Sequence, residues 1–318
     1  MSTSPLVSVV MSVYNGAENL PETLESILGQ EGVDLEFIVV NDGSTDDTLK
    51  ILDQYAVKDN RLKVFNQENQ GLTRSLIRGC AEAKGEFIAR QDAGDVSLPT
   101  RLIKQQDLFL TEKKLAFVSC WTEYVGPEKE LLYIKKGSSV ASKSVEILSD
   151  VEEWGVIDAP SHHGSVMFRR AAYQKIGGYR EEFYYGQDGD LWYRLGSVGS
   201  FQMLQEAFYI AEITVDSISA SAKLAQNEIA NLSRKALKVR LRGEDDSIYI
   251  KKISKIRPEY ITNNMKSSVC KSNGYYFIGE CLRINKDSRA SQYFIEAIKS
   301  DYFNYRAWLR LIQSKIGG

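Results

Sequence analysis

Cysteine and histidine are scarce in this chain of 318 residues. It contains four cysteines, none in a Cys-x-x-Cys pair, and two histidines, so neither a thiolate zinc site nor a disulfide framework is expected. No apolar run approaches the ~18 residues that a membrane-spanning helix needs. A signal peptide carries a basic segment before its apolar run, and the N-terminal apolar run of this chain has none. We therefore predict a cytoplasmic protein.

The glycine pattern of dinucleotide-binding dehydrogenases is also missing. A β-rich run over 6–13 closes on Tyr14, Asn15 and Gly16, where those enzymes carry Gly-x-Gly-x-x-Gly. Close approach of a pyrophosphate to the backbone is therefore not expected at this turn. That absence argues against a dinucleotide-dependent oxidoreductase.

Short apolar runs alternate with helical periodicity along the first 95 residues. Because parallel neighbouring strands need helical crossovers, this alternation predicts an α/β fold with a nucleotide-binding half built from parallel β-α-β units. The predicted strands are 6–13, 35–40, 62–65 and 86–91, and the predicted helices are 18–30, 44–56 and 72–83.

Two acids follow the fourth predicted strand. Asp92 and Asp95 are separated by Ala93 and Gly94, and open α/β sheets bind ligands beyond the carboxyl ends of their strands. Carboxylate oxygens with little bulk around them suit Mg²⁺ or Mn²⁺ bridged to a substrate phosphate. The alternative is an Asp-Gly turn with a solvated acid, which is the commoner meaning of such a tetrapeptide.

Polar side chains also follow the first two predicted strands. Tyr14 and Asn15 end the first, and Asp42 ends the second. An aromatic ring and a carboxylate would suit a nucleobase, through stacking and through acceptance of an imide N–H. A turn role for Asp42 in its Asp-Gly pair is an equal alternative.

Taken together, four blocks of sequence resemble the family-2 inverting glycosyltransferases over about residues 6–215. In order, the blocks are 7–15 (Val-Ser-Val-Val-Met-Ser-Val-Tyr-Asn), 40–48 (Val-Asn-Asp-Gly-Ser-Thr-Asp-Asp-Thr), 69–72 (Asn-Gln-Gly-Leu) and 83–92 (Ala-Lys-Gly-Glu-Phe-Ile-Ala-Arg-Gln-Asp). The resemblance implies the A-type glycosyltransferase fold, Rossmann-like with a mostly parallel sheet flanked by helices. It also implies sugar transfer from a UDP- or dTDP-linked donor to a glycan or lipid-linked acceptor, in the synthesis of a surface polysaccharide.

The metal motif departs from the family pattern. The family commonly shows Asp-Ala-Asp-Asp, whereas the third position here is Gly94. The resemblance therefore implies that Asp92 and Asp95 hold the metal. It also implies that Tyr14, Asn15, Asp42 and Asp92 bind the nucleotide-sugar donor. The family's arginine in the third helix has no counterpart, and Arg74 is not given its role.

A second acidic motif covers residues 187–195. Its resemblance to the family's acceptor-side motif implies that Asp188 is the catalytic base. Asp190 would then cap or orient a helix. Replacing Asp190 should lower the stability of the fold by about 1 kcal/mol or less. The alternative is that both are acids favoured by a helix N-terminus. Upstream, His163 is a candidate for a metal or diphosphate contact, with a structural hydrogen bond as the alternative.

The charge changes sign near residue 220. Residues 1–222 hold 21 Lys+Arg against 33 Asp+Glu, and residues 223–318 hold 19 against 9. We therefore predict a catalytic domain over 1–218, divided near 98 into donor and acceptor halves, and a basic helical region over 219–318. That region suits peripheral contact with anionic lipid, but it lacks the interleaved aromatics of a nucleic-acid surface.

Small and large apolar positions near the C-terminus approximate one tetratricopeptide-like hairpin. The positions are Gly279, Leu282, Ala290, Phe294, Ala297, Trp308 and Leu311. Together with Gly94, this tail leaves open a second function, a non-catalytic sugar-nucleotide-binding or scaffold protein on the same fold. Asp188 favours the enzyme.

Overall fold

The computed structural model describes residues 7–137, 160–215, 223–256 and 267–316. Within them, nine strands form one mixed sheet in the order β3-β2-β1-β4-β8-β6-β9-β5, with β7 paired to β6. The strands are β1 Val7–Val13, β2 Leu35–Asp42, β3 Leu62–Gln67, β4 Phe87–Arg90, β5 Val96–Ser97, β6 Leu115–Val125, β7 Leu131–Lys135, β8 Met167–Arg169 and β9 Ser200–Glu212. The predicted α/β fold is confirmed.

The first half of the sheet is parallel, as predicted. β1 pairs with β2 and β4, and β2 pairs with β3. Helices make the crossovers, so the carboxyl ends of these four strands lie at one edge. The helices are α1 Leu20–Leu28, α2 Thr48–Lys58 and α3 Leu72–Glu82.

The second half of the sheet is antiparallel. β8 pairs in this sense with both β4 and β6, and β5 pairs so with β9. β8 therefore lies beside β4, although about 80 residues separate them in the chain. This half also contains α4 Arg101–Thr111, α5 Arg170–Lys175 and α6 Gln187–Gly196.

Apolar side chains cover both faces of β1, because helices flank the sheet on both sides. Val9 packs into one core cluster with Phe37 and Leu24. Val10 points the other way, into a second cluster with Ile38. α3 lies close over this second face, because a Cβ at Gly79 would come within 2.6 Å of Val10 Cγ1.

The C-terminal part of the chain is helical, as predicted. Its helices are α7 Lys223–Leu241, α8 Ser247–Ile253, α9 Ser267–Ile284, α10 Ala290–Ser300 and α11 Tyr305–Ile316. α9 and α10 pack closely, since a Cβ at Gly279 would meet the ring of Phe294 at 2.7 Å. The tetratricopeptide-like character of this segment stays a prediction. No helix in the described ranges has the length and apolar character needed to cross a bilayer.

The chain divides into two compact units. One contains residues 1–122, 135–211 and 229–255, and the other contains 123–134, 212–228 and 256–318. The second unit has its own apolar cluster around Ile278, Leu282 and Phe294. The predicted domain boundary at 218 stays a prediction.

Candidate active site

The turn after β4 carries the two predicted metal-binding acids. β4 ends at Arg90, and Gly94 adopts a φ of +93°, which turns the chain between Asp92 and Asp95. Glycine adopts such a conformation without the clash that a Cβ would cause. The buried Gln91 side chain holds the turn, since its Nε2 donates to the carbonyl oxygen of Asp95 at 2.9 Å.

A histidine from a distant loop joins these acids. Nδ1 of His162 lies 3.7 Å from Oδ2 of Asp92 and 3.6 Å from Oδ2 of Asp95. The backbone N–H of Gly164 donates to that nitrogen at 3.0 Å. Burial lowers the pKa of His162, which favours the neutral ring. His162 therefore places Nδ1 of a neutral ring beside two carboxylates.

Asp92 is held as an anion by a buried arginine. The guanidinium of Arg90 is fully buried, and it pairs with Oδ1 of Asp92 while it also donates to carbonyl oxygens of Val10 and Gln91. Burial alone would raise the pKa of Asp92, but Arg90 and the neighbouring His163 and His162 together outweigh burial, and the pKa is lowered. Asp92 is therefore ready to bind a cation at neutral pH.

His163 makes structural hydrogen bonds, which was one of the two roles considered for it from the sequence. Its Nε2 lies 2.7 Å from the Tyr179 hydroxyl and accepts from Nε of Arg90 at 3.4 Å. Burial, with Arg90 nearby, lowers the pKa of His163 to about 4. Of the pair, His162 joins the acids and His163 supports Arg90, as in the structural alternative. The sequence signal marked the pair but not its orientation.

Asp188 and Asp190 lie in the first turn of α6 and differ in their surroundings. Asp190 is buried and pairs with Arg194, whose Nε donates to it at 2.8 Å. Asp188 is only partly buried, and its charge raises the pKa of His162 and of Lys135 against the lowering effect of burial. Asp188 therefore lies in electrostatic range of the Asp92–His162 cluster.

Asp42 is buried, and its own chain supplies its hydrogen bonds. Its Oδ1 accepts from Nε2 of Gln67 at 2.7 Å and from the N–H of Gln70 at 2.9 Å, and Oδ2 accepts from the N–H of Gly71 at 2.8 Å. These bonds tie the end of β2 to the loop before α3. Gln67 and Gln70 also line a cleft of about 470 Å³ with Arg74.

The exposed turn after β1 is fastened to the loop after β2. Asn15 has a φ of +49°, and its Oδ1 accepts from the N–H of Thr45 at 2.7 Å. Ser44 accepts from the Asn15 N–H at 2.9 Å. Tyr14 beside it is about half exposed, at 53%. The structure thus brings the turns that carry Tyr14, Asn15 and Asp42 to the same edge of the sheet.

Asp92, Asp95 and His162 form a cluster that fits a divalent metal ion. Each offers one ligand atom, and the three atoms lie within 4.8 Å of one another. Two hard carboxylate oxygens and one imidazole nitrogen are donors that several divalent cations accept. Sequence reasoning named the two acids and missed His162, because only the fold brings it across from a loop about 70 residues away.

A parallel α/β half with acids beyond β4, continued by antiparallel strands, is the A-type glycosyltransferase arrangement. Solved structures share it at low identity. S. aureus TarS, residues 1–349, aligns with a TM-score of 0.54 and 17% identity, over 98% of this chain and 92% of that one. A mannosyltransferase from Pyrobaculum calidifontis, in complex with GDP-Man and Mn²⁺, aligns at 0.53 and 16%, over 98% and 84%.

The chain belongs to glycosyl transferase family 2. The family model matches residues 8–177. A putative glycosyltransferase, EpsE of Bacillus subtilis, is 36% identical over 66% of this chain and 73% of that protein. The chondroitin synthase of Pasteurella multocida is 29% identical over 68% of this chain but only 21% of that longer protein. The predicted family is thereby confirmed, and the chain is a glycosyltransferase.

Proposed function

We propose that this chain transfers a hexose from a nucleotide-sugar, UDP- or dTDP-linked, to a hydroxyl of a glycan or lipid-linked acceptor, with inversion. The observation that carries the proposal is the cluster of Asp92, Asp95 and His162, with Asp188 in electrostatic range of it. The relatives support it. EpsE is described as a putative glycosyltransferase, and a TarS structure contains UDP-GlcNAc.

Asp92, Asp95 and His162 would hold Mn²⁺ or Mg²⁺. A divalent cation there would stabilise the negative charge of the leaving diphosphate. The buried Arg90 pairs with Asp92 and favours its ionised form, so the chain offers the cation a preformed anionic site. The presence of Mn²⁺ in the mannosyltransferase neighbour supports a divalent ion of this kind.

Nucleotide contacts are proposed at the edge formed by Tyr14, Asn15 and Asp42. The exposed ring of Tyr14 is available for stacking on a base. Three backbone and side-chain donors already occupy the Asp42 carboxylate. We therefore propose that Asp42 acts mainly by shaping the loop of Gln67 and Gln70, whose side chains line the neighbouring cleft.

Asp188 is proposed as the base. It would take the proton of the acceptor hydroxyl while that oxygen forms a bond to the anomeric carbon. The bond from that carbon to the diphosphate breaks on the opposite face, and the nucleoside diphosphate leaves with the electron pair. One displacement of this kind inverts the configuration.

The decisive experiment compares Asp188→Asn with the wild-type protein on a panel of nucleotide-sugars, with Mn²⁺ or chelator present. We expect transfer to fall by roughly two to four orders of magnitude in the variant, because the amide cannot accept the proton. Nucleotide binding should be retained. Asp107→Asn, which removes an exposed acid on α4, is the matched control.

Three results would contradict parts of the proposal. Full transfer activity in Asp188→Asn would remove Asp188 from the chemistry. Nucleotide binding by the wild-type protein without turnover of any donor would favour the alternative, a non-catalytic sugar-nucleotide-binding protein. Turnover that is unchanged by chelator would remove the metal from the proposal.

A further inference from the structure

We propose that Tyr209, on β9, is the positioning residue that fixes all three metal-binding groups in their working geometry. This inference rests on the metal site of the proposed function. It adds a residue that neither the family motifs nor the acidic cluster contains. Its basis is that Tyr209 contacts each of the three candidate ligand residues in a different way.

The hydroxyl of Tyr209 bridges the two acids. It donates to Oδ2 of Asp95 at 2.8 Å, the same oxygen that faces His162. It accepts from the backbone N–H of Asp92 at 3.1 Å. One hydroxyl thus sets both the direction of the Asp95 carboxylate and the position of the Asp92 backbone.

The ring of Tyr209 supports the third group. It stacks on the imidazole of His162 with a centroid distance of 5.3 Å and an interplanar angle of 24°. The loop of His162 is also moulded to this tyrosine, because a Cβ at Gly164 would lie only 1.8 Å from the Tyr209 hydroxyl oxygen. Glycine at that position is therefore required for the close approach.

Tyr209 is itself held from several sides. It is fully buried, and β5 pairs with β9 so that Ser97 lies opposite Tyr209. The guanidinium of Arg101 lies 5.1 Å from the centre of its ring. Asp95 comes directly before β5, so the pairing fixes Tyr209 relative to the acid that it contacts. A metal-binding side chain keeps its geometry when the residue that contacts it is itself held by packing and hydrogen bonds.

Gly94 adds no side chain that could support the two acids. Ala93 and Gly94 separate the two acids, and a Cβ at Gly94 would meet no atom within 4 Å. Asp95 is buried, and the Tyr209 hydroxyl donates to its carboxylate, so this bond helps to set the direction of that carboxylate. Groups that hydrogen-bond to metal ligands typically change metal affinity by 10–100-fold when removed.

The test is Tyr209→Phe, which removes the hydroxyl and keeps the ring. Mn²⁺ binding is measured by titration, following the electron paramagnetic resonance signal of free Mn²⁺. We expect the Kd for Mn²⁺ to rise about tenfold or more. Thermal unfolding in chelator measures the purely structural cost of the change.

The matched control is Tyr55→Phe, which removes a tyrosine hydroxyl bonded to Glu25 at the exposed surface. It should bind Mn²⁺ as the wild-type protein does. If Tyr209→Phe does not unfold cooperatively in chelator, Gly164→Ala takes its place. Its added Cβ displaces the Tyr209 hydroxyl, and the same loss of Mn²⁺ affinity is expected.

The outcomes separate this inference from the proposed function. If the wild-type protein binds Mn²⁺ and Tyr209→Phe binds it with the same Kd, the positioning role is overturned and the metal site stands. This holds even if the unfolding temperature of the variant is lower. Absence of Mn²⁺ binding by the wild-type protein would overturn both. A loss of Mn²⁺ affinity in Tyr209→Phe, with none in Tyr55→Phe, supports the inference.

Discussion

Replacing Asp190 by asparagine should destabilise the fold far more than a helix-capping role would predict. Asp190 and Arg194 are each only 4% exposed at the side chain, and their charged atoms approach to 2.5 Å. Arg194 also donates to the carbonyl oxygens of Ile176 and Gly178, at 3.1 and 2.5 Å. The pair therefore ties α6 to the turn that follows α5.

The size of this loss of stability follows from the charge of Arg194, which stays buried when Asp190 is replaced. Removing one partner of a buried ion pair costs about 3–5 kcal/mol, because the remaining charge stays buried without compensation. An asparagine oxygen can still accept one hydrogen bond from Arg194, so we expect a loss of about 3 kcal/mol, at the lower end of that range. This replaces the value of about 1 kcal/mol or less that the sequence suggested for Asp190.

Urea unfolding at neutral pH measures this difference. Asp188→Asn is the matched control, since it makes the same chemical change two residues earlier in the same turn at a partly exposed site. The control should stay within about 0.5 kcal/mol of the wild-type free energy of unfolding. Equal effects of the two variants, or a loss of transfer in Asp190→Asn without a loss of stability, would refute the assignment of the two acids.

Two further predictions concern stability and the basic region. The carboxylate of Glu36 is buried on β2, and although burial would raise its pKa, bonds from Lys63, Ser8 and the Lys84 N–H lower it. Glu36→Gln should therefore cost about 2 kcal/mol at pH 7. That cost should shrink as pH falls below ~4.3 through the folded-state pKa, and a pH-independent difference in urea would contradict the reasoning. The other change reverses the charges of the exposed residues 251, 252 and 255. It should weaken sedimentation with anionic vesicles in a salt-dependent way while donor hydrolysis stays constant. Equal losses in both assays would argue against a membrane role. Residues 257–266 of the predicted basic helical region lie outside the described residues.

Local patterns determined the parallel half of the sheet in this protein. The strand after Gly85 was predicted as 86–91 and is Phe87–Arg90, and the helix predicted as 72–83 is Leu72–Glu82. These elements follow from periodicity within about ten residues, which the sequence displays directly. Asp92 and Asp95 were predictable for the same reason, since their place beyond a strand is a local property.

Tertiary structure decided how the site is completed. Tyr209 and Asp95 are 114 residues apart, and the bond from Arg90 to His163 spans 73. No local pattern encodes such contacts, because they arise only when antiparallel strands join the parallel half of the sheet. Asp190 and Arg194 are only four residues apart on one helix, and what the tertiary structure decided there is the burial of the pair. The sequence indicated the candidate site residues, and the fold determined which distant side chains contact them.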